Sequence, residues 1–390
     1  CLKKFNGMWA FVIYDKLQDK YFISRDRFGK KPFYYYKDEE KFIFGSEIKV
    51  ILAHPDVESQ PNLDFLDSYV QNGAKEYIKE TAFENIFRFD FSSYFEGSLE
   101  DIFENFEQNK FWEIKPNLSH EKFDEEKAKV YAKQYYELLE DAVRIRLRAD
   151  VKVGSALSGG LDSSSIVYLV NKLLKEQGKE ELQETFSSVY KSDGTQECDE
   201  SYFIDIMALK LGVHSNQIEP KEDEIPSQIE KMIWHLENPP DNSLMSSWHT
   251  FKLVASTDVK VTLDGQGADE QLGGYLPYLL NYISSLSIVD MFSQAKKCLQ
   301  IPNSSKYVFV GLCLGLYRVL FGEKFLKFTI KNIFKRDFET NLNKKLGIDT
   351  MSSLITLIHY ADHASMAFSI ESRMPFMDYR LVEFLASVPA

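Results

Sequence analysis

Ser158-Gly159-Gly160-Leu161-Asp162-Ser163-Ser164 is the segment of the 390-residue sequence best equipped for chemistry. It follows a short apolar run, Val151 to Leu157, and opens an amphipathic stretch in which Ile166, Val167, Leu169, Val170, Leu173 and Leu174 mark one face. The spacing predicts a buried strand, a tight turn and a helix ending at Gly178. A helix start presents free N–H groups and a positive dipole end, two glycines let the backbone close on an anion, and the serine hydroxyls add donors. Phosphate binding by Ser158, Gly159, Gly160, Ser163 and Ser164 is expected. A carboxylate among phosphate donors is useful when a divalent cation lies between, which makes Asp162 a candidate Mg²⁺ ligand. The alternative is a helix merely capped after a turn. No Gly-x-x-x-x-Gly-Lys-Ser/Thr loop is present.

A second segment, Asp264-Gly265-Gln266-Gly267-Ala268-Asp269-Glu270-Gln271-Leu272-Gly273-Gly274-Tyr275, follows the strand predicted at Lys260 to Leu263. Glycines and an acidic pair at a strand's carboxyl edge again suit phosphates and Mg²⁺. A solvated acidic turn is the alternative. Glu270 stands where a dinucleotide fingerprint needs Gly or Ala. His359 and His363 have the i, i+4 spacing of a metal site without an evident third ligand, so packing or substrate-facing histidines are expected.

The elements that must position these loops follow. Short strands at Thr185 to Val189 and Ser215 to Glu219, with a helix at Glu200 to Leu211, alternate as in a doubly wound parallel sheet. Residues 1 to 113 read as strands: Met8 to Tyr14, continuous and apolar, as if covered on both faces, then Tyr21 to Ser24, Pro32 to Tyr36 and Lys41 to Phe44. Residues 114 to 125 read as a linker, Glu126 to Arg148 as a helix, and the chain after Tyr275 as wholly helical. The apolar run Tyr307 to Leu320 is expected to be a buried helix, being too short to cross a bilayer. With 46 basic against 59 acidic residues, net charge −13, neither nucleic acid nor an anionic membrane is an expected partner. Four scattered cysteines, with no Cys-x-x-Cys, fit a reduced cytoplasmic setting.

Ser158 to Ser164 resembles the pyrophosphate loop of N-type ATP pyrophosphatases. Asp264 to Tyr275, Asp362-His363-Ala364-Ser365-Met366 and Glu371-Ser372-Arg373-Met374-Pro375-Phe376-Met377-Asp378 resemble the synthetase domain of glutamine-hydrolysing asparagine synthetases. Phe5-Asn6-Gly7-Met8-Trp9-Ala10-Phe11, Arg25 to Pro32 and Ser46-Glu47-Ile48-Lys49 resemble the later part of that family's glutaminase domain. The resemblance implies an α/β chain: a β-rich partial Ntn-hydrolase (glutaminase) domain at 1–113, a linker at 114–125, and at 126–390 a doubly wound ATP pyrophosphatase domain with a helical C-terminal part. It implies a ligase that uses ATP and Mg²⁺, activates aspartate as β-aspartyl-AMP, and adds ammonia from glutamine to give asparagine, AMP and pyrophosphate. A homodimer is allowed. Asp162 and Asp269 would hold Mg²⁺, Leu157, Ser188, Asp264 and Gly265 would contact the nucleotide, and Glu371 with Arg373 would meet the substrate. An ion pair of Arg373 with Glu371 or Asp378 is the alternative.

Two departures stand out. Where the family usually has Ser-Gly-Glu-Gly, this chain has Asp264-Gly265-Gln266-Gly267; a Gln cannot serve as base for ammonium, and Glu270 would have to help. The family's nucleophilic cysteine opens a Cys-Gly segment well upstream of Phe-Asn-Gly-Met, whereas Cys1 lies four positions before it and precedes Leu-Lys-Lys. Glutaminase activity is therefore not expected, and the chain reads as a fragment without the family's first segment and basic tail. The alternatives are another adenylating amide-bond former, of β-lactam synthetase or macrolactam cyclase type, and a non-catalytic remnant.

Overall fold

The computed structural model describes the chain except residues 74, 179–182, 193, 241–243 and 390. Two compact units divide it: Cys1–Glu113, Leu139–Gln266 and Ser352–Tyr379 form one, and Ile114–Leu138, Gly267–Met351 and Arg380–Ala390 the other.

In the first unit, strands β1 (Ala10–Asp15), β2 (Lys20–Arg25), β3 (Tyr34–Lys37), β4 (Phe42–Gly45), β5 (Ile86–Arg88), β6 (Ser93–Gly97) and β7 (Asn109–Lys110) make two antiparallel sheets. Their orders are β1-β2-β6-β7 and β4-β3-β5. The β1–β2 hairpin is set in register by its turn, where Asp15 accepts the N–H groups of Leu17 and Gln18, and it pairs Ala10 with Arg25. Aromatic side chains fill the sheets' inner side: Ile23, Phe33, Tyr35, Phe89, Phe95 and Ile102 form one cluster, edged by Phe42, Phe87 and Phe106.

Two expectations need correcting here. β1 is a sheet edge, and Ile13 and Tyr14 are about half exposed, so its apolar run is not covered on both faces. The region is also not all strand. Helices occupy Ile48–Leu52, Leu63–Asn72 and Leu99–Glu104, the second capped by Asn62 accepting from Phe65 N–H and the third by a Ser98–Asp101 capping box.

The same unit holds five parallel strands: β8 (Val153–Ala156), β9 (Glu184–Ser188), β10 (His214–Ile218), β11 (Val261–Leu263) and β12 (Glu371–Arg373). Their order is β10-β9-β8-β11-β12. Residues of the sheet feed two separate cores. Leu157 and Val189 pack with Val167 and Ile204 from the helices Leu161–Glu176 and Ser201–Leu211. Phe186 packs with Met232, Trp248, Phe251 and Tyr360 from the helices Ile225–Leu236, Leu244–Ala255 and Ser353–Ala367. Cover on both faces is the signature of a doubly wound sheet. The fold class is therefore the α/β arrangement expected. β12 corrects the reading of the chain beyond Tyr275 as wholly helical.

The second unit is helical, with Tyr278–Ser285, Ile288–Cys298, Ser305–Phe321, Glu323–Phe334 and Leu342–Thr350 among its elements. Its core joins Ile283, Met291, Ala295, Cys298 and Val308. The helix Ser305–Phe321 packs through Val308, Gly311 and Gly315; a Cβ on Gly311 would lie 3.1 Å from Ile283 Cβ. Only that narrow side is covered, and Phe309 and Leu320 are largely exposed, so the expectation of a buried helix is corrected. Among the described residues no helix is long and apolar enough to cross a membrane.

Candidate active site

β8 lies between β9 and β11, so the chain leaves it toward opposite edges of the sheet and opens a crevice at the carboxyl ends of β8 and β11. The loop Leu157–Gly160 sits there. Leu157 is buried and its N–H donates to Phe186 O, which extends the β8–β9 pairing into the loop. Gly159 has φ +88°, and a Cβ on it would stand 3.0 Å from the Glu200 backbone oxygen, so the turn admits only glycine.

The helix Leu161–Glu176 begins at Gly160 without any side-chain cap, which leaves its first turn open to an external anion. The serines brace the loop instead of capping the helix. Ser163 Oγ accepts from Ser158 N–H at 3.1 Å, lies 3.0 Å from Ser158 Oγ and donates to Gly160 O. Ser164 N–H donates to Gly160 O in the first turn. Asp162 stands in that turn.

The loop after β11 meets this helix start. A Cβ on Gly265 would lie 2.8 Å from Ser163 N and 3.1 Å from the Asp162 carbonyl carbon. Gly265 is thus brought against Asp162 and Ser163, which lie far from it in sequence. Asp264 is buried; one carboxylate oxygen accepts from Ser372 Oγ, its backbone N–H donates to Arg373 O, and burial pushes its carboxyl above the ordinary value. Ser188, at the end of β9, has its hydroxyl on Ser246 O and Thr250 Oγ1.

On β12, Glu371 and Arg373 lie two residues apart and so share a face. Arg373 Nε donates to Glu371 at 2.7 Å, and its Nη1 donates to the carbonyls of Arg146 and Arg148. The Glu371 ion pair weighed as the alternative is present. Asp378 pairs instead with Arg146 and accepts from Asn6. The rings of His359 and His363 stand 4.1 Å apart, both buried. His363 Nδ1 lies 2.9 Å from His235 O, and His359 Nε2 lies 3.4 Å from Glu76, whose carboxylate is also bonded by Arg88 and Asn238. They pack in a buried polar cluster, and burial holds His359 well below its ordinary value.

In the second unit, Gly267 (φ +98°) starts the short helix Ala268–Leu272, which carries Asp269 and Glu270. Glu270 is buried and accepts from Tyr275 OH at 3.0 Å, so it is no solvated turn residue. Burial raises the carboxyls of both Asp269 and Glu270. Asp162 and Asp269 are oxygen donors of the kind Mg²⁺ takes. Among the described residues no group of three or more His, Cys, Asp or Glu gathers as a cation site.

Sequence reasoning missed the loop after β2. Its buried Asp26 accepts the N–H groups of Trp9, Phe28, Lys30 and Lys31, and Lys31 Nζ reaches Asp362 at 2.8 Å. A Lys-Lys doublet reads as solvated charge, and no local signal separates the buried lysine from the paired one.

These features define a doubly wound α/β protein with a glycine–serine loop at the switch point of its parallel sheet. Residues 134–390 match the asparagine synthase family and residues 1–112 the glutamine amidotransferase domain family. The chain belongs to the asparagine synthase family. It is 35% identical over 291 residues to a Methanocaldococcus jannaschii protein provisionally described as asparagine synthetase (glutamine-hydrolysing) 2, covering 72% of this chain and 52% of the relative. It is 26% identical over 412 residues to asparagine synthetase (glutamine-hydrolysing) 3 of Bacillus subtilis, covering 100% and 62%. A Gibberella zeae protein named amidase chry2 is 25% identical over 441 residues, covering 98% and 63%. The chain spans about half to three-fifths of these relatives' length.

Proposed function

We propose that this chain forms an amide at the expense of ATP: it activates the side-chain carboxylate of aspartate as an acyl-adenylate and adds ammonia, giving asparagine, AMP and pyrophosphate. The observation that carries this reading is the uncapped helix start at Gly160, closed on its other side by Gly265 at the sheet's switch point. Attack by a carboxylate on the α-phosphorus asks the protein chiefly to position groups and neutralise charge. Backbone N–H groups of the loop, with Ser158, Ser163 and Ser164, would take the pyrophosphate. Leu157, Ser188, Asp264 and Gly265 would line the nucleoside side.

Mg²⁺, held by Asp162 with the nucleotide's phosphates, would supply charge neutralisation. Glu371 and Arg373 would meet the amino-acid substrate, although Arg373 is already engaged by Glu371. We assign residues 1–113 to the glutaminase-derived part, 114–125 to a linker and 126–390 to the synthetase part, in a cytoplasmic enzyme. Cys1, followed by Leu-Lys-Lys, is not assigned as a glutaminase nucleophile.

The likeness to a protein named an amidase supports a second reading, in which the same adenylation serves another acceptor. The deciding experiment is exchange of labelled pyrophosphate into ATP with Mg²⁺, with and without aspartate. Aspartate-dependent exchange is expected. Exchange that other carboxylates support and aspartate does not would move the reading to the second acceptor class, and no exchange with any carboxylate would reject adenylation.

A further inference from the structure

Lys30 and Lys31 are sequence neighbours with opposite surroundings. The loop that carries them is held by buried charge: Asp26 accepts four backbone N–H groups, and the Arg25 guanidinium donates to the carbonyls of Gly29, Lys31 and Phe89. From this fixed loop Lys31 pairs with Asp362. Lys30 is 6% exposed, and its Nζ has no hydrogen-bond partner among the described residues.

The charges acting on Lys30 are Asp362, Asp264 and Asp26, opposed by Lys31. Two of those carboxylates are occupied, Asp362 by Lys31 and Asp26 by backbone amides. Asp264 gives one oxygen to Ser372, while its Oδ1 is buried without a donor. Gln266 Oε1, two residues further along the same loop, is likewise buried without one. Burial pushes the Lys30 amine down to about 8, so part of it is unprotonated near neutral pH and carries a free lone pair. A neutral amine and a carboxylate that act on each other, both buried, complement a small ligand made only of donors. Ammonium is such a ligand.

We propose that Lys30, in its neutral form, is the proton acceptor for the ammonium that captures the acyl-adenylate, with Asp264 Oδ1 as the counter-charge. The proposal rests on the amide-forming reading above, and it supplies the base that Gln266 cannot be. One N–H bond of ammonium breaks and its proton joins Lys30 Nζ. The lone pair so freed forms the C–N bond to the acyl carbon, while the C–O bond to the AMP phosphate breaks and its electron pair leaves on AMP. The nitrogen's second surplus proton passes to water, as does the proton on Lys30.

The test measures amide formed per AMP in the full chain, with ammonium or with hydroxylamine, a nucleophile already neutral at pH 7. Lys30→Met keeps the buried stem without a titrating group, and Lys30→Arg keeps a charge that cannot be given up. With ammonium at pH 7, both variants should lose on the order of 10²-fold in amide per AMP and recover as the pH is raised. With hydroxylamine they should stay within about twofold of the parent, since that nucleophile needs no deprotonation. An unchanged ammonium yield, or equal loss with both nucleophiles, overturns the proposal. Absence of AMP formation in the unsubstituted chain is a separate failure, that of the amide-forming reading, and takes the proposal with it.

Discussion

Gly265 and Ser163 stand so close that a Cβ on the first would lie 2.8 Å from the backbone nitrogen of the second. Both atoms belong to fixed backbone, so no side-chain rotation can relieve the contact. Gly265→Ala should therefore push the β11 loop off the helix start, costing about 1–3 kcal/mol of stability and most of the ATP affinity. A lowered unfolding midpoint together with weakened nucleotide binding checks this; a variant that binds ATP as the parent does would show that the two loops do not form one site.

Asp162 occupies the first turn of an uncapped helix, where a carboxylate is favoured by the dipole but idle toward a phosphate unless a cation intervenes. Asp162→Asn keeps the shape and removes the charge. Pyrophosphate release should vanish while the unfolding midpoint hardly moves, and release that persists would count against a metal-holding role.

His359 sets a pH dependence whose sign can be worked out. Burial and the nearby His363, Arg88 and Arg25 hold it well below its ordinary value of 6.5, with the Glu76 carboxylate also against it. The unfolded chain takes up a proton below about pH 6.5 and the folded chain does not, so stability is full above that pH and is lost as the pH falls. His235 and His249 are shifted the same way by burial. His359→Leu should reduce the loss in unfolding free energy between pH 7 and pH 5 by about 1–2 kcal/mol. Urea titrations at the two pH values give that difference directly, and equal losses in parent and variant would place the effect elsewhere.

Gln266 offers a complementary substitution. Its Oε1 is buried without a donor beside Asp264, so Gln266→Glu would put a second proton acceptor on the loop. In the Lys30→Met background it should raise asparagine formed per AMP from ammonium by about tenfold, with ATP binding little altered because Gly265 and Gly267 still shape the loop. A fall, or no change, would point to Gln266 reading a different acceptor by hydrogen bonding.

The crevice was legible because its two loops are dense in glycine and follow short apolar strands, and local chemistry alone fixes what such turns can do. β12 was not: Glu371-Ser372-Arg373 is three residues long and mostly polar, and becomes a strand only because β11 presents an open edge to it. The helix Ser305–Phe321 misled for the opposite reason. Its apolar residues announce burial all round, yet contact is made through Gly311 and Gly315, whose missing side chains carry no hydrophobic signal. Lys30 was invisible because burial of a lysine is decided by what folds over it, and Asp264 and Asp362 lie hundreds of residues away in sequence.

The bond between Ser372 and Asp264 joins residues 108 positions apart. At a synthesis rate of about 5–20 residues per second, β11 is made on the order of 5–20 s before its outer neighbour exists. During that interval the strand has an unpaired edge, and the carboxylate that ends it lacks the hydroxyl that orients it. The crevice is therefore finished late, by the segment that closes the sheet, so a chain halted before residue 371 would hold the glycine–serine loop and still lack a completed Asp264.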